Sequence, residues 1–591
     1  MRHLSRFFLV FVLQNAVCYA ASGTPPVAWQ DWSPDIFQRA ARERKFVLLD
    51  LGTQWCHWCH VMDVQTYADS RVRKLLADKY ISLRVDADSR PDLANRYEDY
   101  GWPATVVYNA HGGEIVKRQG YLSPDEMASM LQAIIDDPTP GPSVQPAKRL
   151  QYGDQNLLSK AIYDELIRRH LETYDSQQGA WGHGQKFLDW NNVEWAMRLA
   201  KRGDFTEERM ARQTLAAQLN LLDPAWGGVY QYSTDDDWQH PHYEKIMQMQ
   251  AEDLQIYSLA YSQWHDPSYL NAAQSIHQFL TRFMLDHDGG FYTSMDADLV
   301  DGVHSADYFK LSDIRRTALG IPHVDPHKYA RENGWVIRGL TTLFAATGDE
   351  SALRQAVAAA NWVCAERSAG DGGFIHDQAN SWGPYLGDTL AMGQAFLELY
   401  EATADRAWLM RAEQASDFIS DHFLRNGDPG IMTVEVRTPQ QFPPEQEFEE
   451  NVDAARWANL LCQYTDRDVD KSLAKTAMRY LATPEVALSQ RIEVGGVLLA
   501  NDELATSPLH ITVVGGKADL TAASLFHLAL TFPTSYKRVE WYDIAEGPLP
   551  NADVVYPHFA KPAAFVCTGT SCSRPVFTVE DLSRRLARVK I

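Results

Sequence analysis

The chain has 591 residues, and its 55 Lys and Arg against 77 Asp and Glu give a formal charge of −22. Hydrophobic residues make up 45%, charged 22% and aromatic 11%; this balance excludes a disordered chain, and the length calls for about three cores of roughly 150–250 residues. The acidic surplus argues against duplex nucleic acid or an anionic membrane surface as the main partner.

Residues 1–20 read as a secretory leader. Arg2 and Arg6 form a basic start, Phe7 to Leu13 a short apolar run, and Cys18-Tyr19-Ala20 a small-residue cleavage site. Gln14 and Asn15 break the run short of the ~20 apolar residues that a membrane span needs. Cleavage there predicts an exported protein, periplasmic or secreted, with no stable membrane insertion. Six cysteines lie beyond the leader. Cys364 and Cys462 sit alone in helical patterns and read as buried small hydrophobes. The other four form two close pairs.

The first domain is expected over residues 21–140. Phe46 to Leu51 has a buried-strand pattern and runs through Gly52-Thr53-Gln54-Trp55 into Cys56-His57-Trp58-Cys59, with helix-compatible residues from Val61 to Ala77. Ile81 to Asp86 reads as a second strand. Pro103 precedes a third, Ala104 to Tyr108, and His111-Gly112-Gly113 makes a turn. A helix start stabilises a thiolate, so an exposed Cys56 is expected to ionise below the free value of about 8.5. Cys59, one turn deeper, is placed to attack a mixed disulfide at Cys56. A cis proline opening an edge strand would present backbone beside the pair. In this order of parts the segment resembles thioredoxin. The resemblance assigns Asp50 as proton acceptor for Cys59 and Pro103 as the cis-proline.

Three rivals fit the same residues. Cys56-x-x-Cys59-His60 also satisfies a haem-attachment pattern. Cys56, His57, Cys59 and His60 could bind a metal, although four adjacent ligands on one forming helix suit a tetrahedral site poorly. The pair could also be a structural staple. Neither cofactor nor metal is the expectation.

From about residue 150 to 505 the pattern turns helical. Residues 155–174, 192–203, 206–222, 244–264, 268–286, 331–347, 350–368, 386–404, 406–424, 451–465 and 468–482 carry apolar residues at three- and four-residue spacing. Glycine turns recur at Gly179, Gly227-Gly228, Gly289-Gly290, Gly372-Gly373, Gly427 to Gly430 and Gly495-Gly496, each after the first helix of a pair. Six hairpins predict an (α/α)6 toroid whose second helices line the inside, though the last pair lacks a clear second helix. Long loops would gather at the inner helices' N-terminal ends. His242, Glu244, Lys245, Asp296, Asp298, Asn333, Asp388 and Asn451 fall there and are the ligand-cleft candidates. Carboxylates beside aromatics suit a sugar, whereas the plainer reading makes the acids helix caps. Residues 506–591 read as a small α/β unit with strands at 510–514, 538–542 and 564–566. Its Cys567 and Cys572 are expected to form a structural disulfide; an electron relay with the first pair is the alternative.

Trp55-Cys56-His57-Trp58-Cys59-His60-Val61-Met62 is far more specific than a bare Cys-x-x-Cys. It resembles the signature of the YyaL-like family, also called the spermatogenesis-associated protein 20 family. Pro241-His242-Tyr243-Glu244-Lys245, Gly289-Gly290-Phe291-Tyr292 with Asp296-Ala297-Asp298, Asn333-Gly334, Asp388, Asn451 and Cys567-x4-Cys572 extend the likeness along the chain. Met295 and Gly387 depart from acids expected there. The resemblance implies a thioredoxin-like domain joined to a six-hairpin, glycosidase-like (α/α)6 domain. The leading expectation is an exported thiol–disulfide oxidoreductase acting on protein thiols or disulfides, with a toroid that binds a partner or ligand. A carbohydrate-active or sugar-binding toroid is the second, and a non-catalytic interaction protein the third.

Overall fold

The computed structural model describes residues 25–145, 150–378, 382–425, 427–435, 442–557, 559–569 and 571–590. The leader expected over 1–20 lies outside the described residues. Among the described residues, no helix is long and apolar enough to cross a membrane.

The first unit is a four-stranded sheet of β1 (Phe46–Gly52), β2 (Tyr80–Asp86), β3 (Ala104–Tyr108) and β4 (Glu114–Gln119), ordered β2-β1-β3-β4. β1 and β2 run parallel; the other pairs are antiparallel. β1 is apolar on both faces because helices cover both. Val47, Leu49 and Leu51 pack with Ile36 and Leu93, and Leu48 packs on the opposite face with Met62, Leu76 and Leu131. This is the thioredoxin-like arrangement. One expectation is corrected: β3 is internal, paired on both sides, so Pro103 does not open an edge strand. It is tolerated because it stands one residue before the first ladder pair, Ala104 with Leu51.

Among the described residues, twelve long helices then form six hairpins. The inner helices are Trp190–Arg202, Met247–Trp264, Ala330–Thr347, Leu386–Thr403, Phe448–Thr465 and Gly495–Ala505. Each packs on the next and the last packs on the first, which closes the (α/α)6 ring. The outer helices are Lys160–Glu172, Phe205–Gln218, Pro267–Phe279, Glu350–Glu366, Arg406–His422 and Asp468–Leu481. The twelfth helix corrects a second expectation. Gly495-Gly496 is not a turn but the start of the last inner helix, and a Cβ on Gly495 would lie 2.4 Å from the Asn191 backbone. Close packing, not chain reversal, requires that glycine.

The last unit orders its strands Lys537–Tyr542, Leu509–Val514, Ala563–Thr568, Ser571–Cys572, with the first pair parallel and the others antiparallel. Helix Leu520–Leu530 joins the first two strands in sequence and Val579–Leu586 follows the last. Strand order and directions repeat those of the N-terminal sheet. Cys567 and Cys572 are ladder partners joined by a disulfide. Where the first unit carries Cys56 to Cys59, this one carries Gly515-Gly516-Lys517 and no cysteine. The two units cap opposite ends of the ring. Trp55, Glu98 and Trp102 meet residues at the inner helices' N-terminal ends, and Leu530 to Lys537 meet their C-terminal ends. Cys364 and Cys462 are unpaired and half-buried, less enclosed than expected.

Candidate functional site

Cys56 is the N-cap of helix His57–Gln65; its sulfur accepts the Cys59 backbone N–H at 3.1 Å and is joined to Cys59 in a disulfide. The register of Leu51 with Ala104 sets Pro103 level with Gly52, and a Cβ on Gly52 would lie 2.9 Å from the Cys59 sulfur. Glycine at 52 therefore lets the helix settle on the sheet. The Trp102–Pro103 peptide is cis. Asp50 is buried behind the motif, and burial raises its pKa against the pull of Arg84. Both of its oxygens are engaged: Oδ1 accepts from the Tyr67 hydroxyl at 3.0 Å and Oδ2 from Arg84 Nε at 2.9 Å.

The expectation of an exposed Cys56 is corrected. Cys56 is 4% exposed and Cys59 is the more open of the two. A toroid loop docks on the first turn of the motif helix. His57 Nδ1 lies 2.8 Å from Asp298 Oδ1, and His60 Nδ1 lies 3.3 Å from Asp298 Oδ2. Burial pushes Asp298 up, but the hydrogen bonds from His57 and His60 outweigh it and hold the carboxyl down at about 2. Burial works against charge on His60, yet Asp298, Asp296 and Asp301 lift it to about 9. The Asp298 hydrogen bond likewise raises His57. Asp296 is pushed up to about 7 by burial, partly offset by the Asp298 N–H and His60. His60, Asp296 and Asp301 each bring one donor atom within 4.8 Å of the others, a spacing a divalent cation could span.

A second contact uses Asp388. It accepts from the Arg331 N–H at 3.1 Å and from His376 Nδ1 at 2.8 Å, while His376 Nε2 donates to the Asp88 carbonyl at 2.7 Å. Three of the eight cleft candidates, Asp296, Asp298 and Asp388, thus stand at the contact between the thioredoxin-like unit and the toroid. Glu244 is buried beside His57, with one oxygen lacking a hydrogen bond and His242 3.6 Å away. His242 stacks on Tyr232.

The other three are engaged by neighbouring groups. Lys245 is buried against Asp223 at 2.7 Å, an ion pair shared with Arg316. Asn333 accepts from the Phe291 N–H and donates to the Phe291 carbonyl; Asn451 does the same to Ile431. Both amides are spent on holding loops, and neither lines the central cavity.

That cavity, about 330 Å³, lies inside the ring. Trp55 and Trp102 of the thioredoxin-like unit share its wall with Trp190, Trp335 and Arg331 of the toroid. Arg338 reaches Glu398 at 3.2 Å and Glu252 at 3.6 Å; Arg456 reaches Glu194 at 2.7 Å and Glu503 at 3.0 Å. The two arginines brace facing inner helices. Burial pushes Glu252 up to about 7 against Arg338 and Glu450 up to about 8. These residues were missed in the sequence. Each inner helix supplies one of Glu194, Glu252, Arg338, Glu398, Arg456 and Glu503, but each also carries other charged residues, so nothing in the sequence singles these out.

Residues 14–135 match the family model described as Thioredox_DsbH, a protein of unknown function, DUF255. Spermatogenesis-associated protein 20 of Homo sapiens is 26% identical over 307 residues, 46% of this chain and 39% of that protein. The match therefore spans about two fifths of that relative's length. Thiol:disulfide interchange protein DsbD of Ralstonia nicotianae is 38% identical over 71 residues, 12% of each chain. Among solved structures, a D-mannose isomerase is similar with a TM-score of 0.46 and 12% identity, covering 60% of this chain and 99% of its own. The family resemblance drawn from the Trp55 to Met62 motif is borne out.

Proposed function

We propose that Cys56 and Cys59 form a redox-active pair and that the chain is an exported thiol–disulfide oxidoreductase. The observation that carries this reading is the sulfur of Cys56 at a helix start, with the Cys59 N–H aimed at it, which stabilises a Cys56 thiolate in the reduced protein. Cys59 resolves the mixed disulfide, and buried Asp50, kept basic by its raised pKa, takes up its proton. The likeness to a thiol:disulfide interchange protein over this region supports the same chemistry. The basic-then-apolar leader supports export. Reduced full-length protein mixed with a peptide disulfide should release peptide thiol, and Cys56→Ser should abolish the release. Undiminished release from Cys56→Ser would end this reading.

A second reading places a carbohydrate in the central cavity. It rests on tryptophans and high-pKa carboxyls facing one cavity, the groups that stack on a sugar and exchange protons with it. Thermal melting with oligosaccharides and amino sugars should show an upward shift for at least one. A flat response across the panel rules this reading out.

A further inference from the structure

Where the motif helix meets the toroid, anionic charge is buried with little to answer it. Asp296 and Asp298 are each 2% exposed and Glu244 is 3% exposed. Among the described residues, the ion pairs these acids make are with histidine rings, and no lysine or arginine pairs with them or with Asp301. Buried carboxylates are ordinarily paired or bound to a metal. Asp298 is answered by His57 and His60; Asp296 and Glu244 are not. Asp296 Oδ1 accepts the Asp298 N–H at 2.8 Å, while Oδ2 stands 3.8 Å from His60 Nδ1, too far for a hydrogen bond. The ladder that pairs Met295 with Lys245, carried one residue on, sets Glu244 across from Asp296 on the same face of the ribbon. There Glu244 Oε2 has no hydrogen-bond partner, and the carboxylate acts electrostatically on Asp296 and His57. Asp301 is exposed at the tip of the turn that the Val303 N–H closes on the Val300 carbonyl.

One donor atom each from His60, Asp296 and Asp301 lies within 4.8 Å of the other two, and we propose that these three residues bind a divalent transition-metal ion, with Glu244 Oε2 as a fourth donor. One imidazole with carboxylate oxygens suits Zn²⁺, which takes four such ligands. Asp298, bonded to the His60 ring, orients it as carboxylates do for histidines on metals. The dication takes over the charge balance that a protonated His60 supplies without it. His60 belongs to the motif helix and the carboxylates to the toroid, so the ion fastens one to the other. No metal was expected from the sequence, because the carboxylates that complete the set lie far along the chain from the motif. A second group of this kind, Asp175, His183 and Asp236, supplies the contrast: Lys186 Nζ is 2.6 Å from Asp236 and 3.5 Å from Asp175, so an ammonium already answers those acids.

The test uses full-length protein without a histidine tag, stripped with chelator, with both disulfides formed and every free thiol alkylated, so that no thiolate competes for the metal. Zn²⁺ is titrated in by calorimetry, and melting is followed with and without it. Wild type should bind one Zn²⁺ per chain and melt at a higher temperature with it. Asp301→Asn changes an exposed side chain; it should fold as wild type, bind at least about tenfold more weakly and lose the melting shift. Asp296→Asn should do the same, and if it does not fold, Asp301→Asn decides alone. His183→Ala, in the group that Lys186 answers, should bind as wild type. A wild type that shows no saturable binding at micromolar Zn²⁺, an Asp301→Asn variant of unchanged affinity, or a His183→Ala variant that loses the ion overturns the proposal. None of these outcomes touches the oxidoreductase reading, which is decided by release of peptide thiol.

Discussion

Asp298 is the residue on which the two halves of the site meet. One carboxylate accepts from both histidines of the motif helix and from the Gly302 N–H. Its contribution to stability has two pH limits. His60 stands at about 9 in the folded protein against 6.5 free, so its share is fully present below about 6.5 and is lost as pH rises through about 9. Asp298 stands at about 2 against 3.8 free, so its share is present above about 4 and is lost as pH falls through about 2. Urea unfolding should therefore show wild type losing about 1.5–3 kcal/mol between pH 5.5 and 9.5 that Asp298→Asn does not lose, the range for hydrogen bonds to charged groups. Equal losses in both proteins would dismiss the histidine contact as a source of stability.

Hairpin elements repeat a device that single residues conceal. Gln250, Asn333 and Asn451 each occupy the fourth position of an inner helix, and each pairs with both backbone groups of one loop residue: Val229, Phe291 and Ile431. Thr389, at the same position of its helix, accepts from the Phe374 N–H. The glycine loops are thereby fastened to the inner helices. At the other end, inner helices stop at a left-handed residue and the next residue, an Asp, caps the following outer helix, as at Gly203-Asp204, His265-Asp266, Gly348-Asp349 and Ala404-Asp405. Asn333→Ala and Asn451→Ala should each cost about 2–3 kcal/mol in urea unfolding, because a buried N–H and carbonyl lose their partners together. Exchange at Cys56 should be unchanged in both. A loss of exchange in a fully folded variant would return that amide to the ligand candidates.

At the scale of the whole chain, local signals were legible and distant ones were not. The strand, Cys-x-x-Cys, helix and proline run within sixty residues, and helical periodicity marks eleven of the twelve long helices. The twelfth was hidden because Gly495-Gly496 imitates a turn while serving a close approach to Asn191. The docking of a toroid loop on the motif helix could not be read, since the contact of His57 with Asp298 spans 241 positions of sequence. The strands of the last unit were legible, but their likeness in order and direction to the first sheet was not, because the unit lacks cysteines where the first has them. The join between last and first hairpins has its own consequence. Asn192 donates to the Ile492 carbonyl, Arg202 pairs with Asp502, and the Leu158 N–H reaches Asn501, across 300 to 343 positions. A nascent chain leaving the ribosome therefore holds an unfinished horseshoe, its first flank sticky and unpartnered, until the final hairpin is made; completion is late, slow and a natural point for chaperone attention.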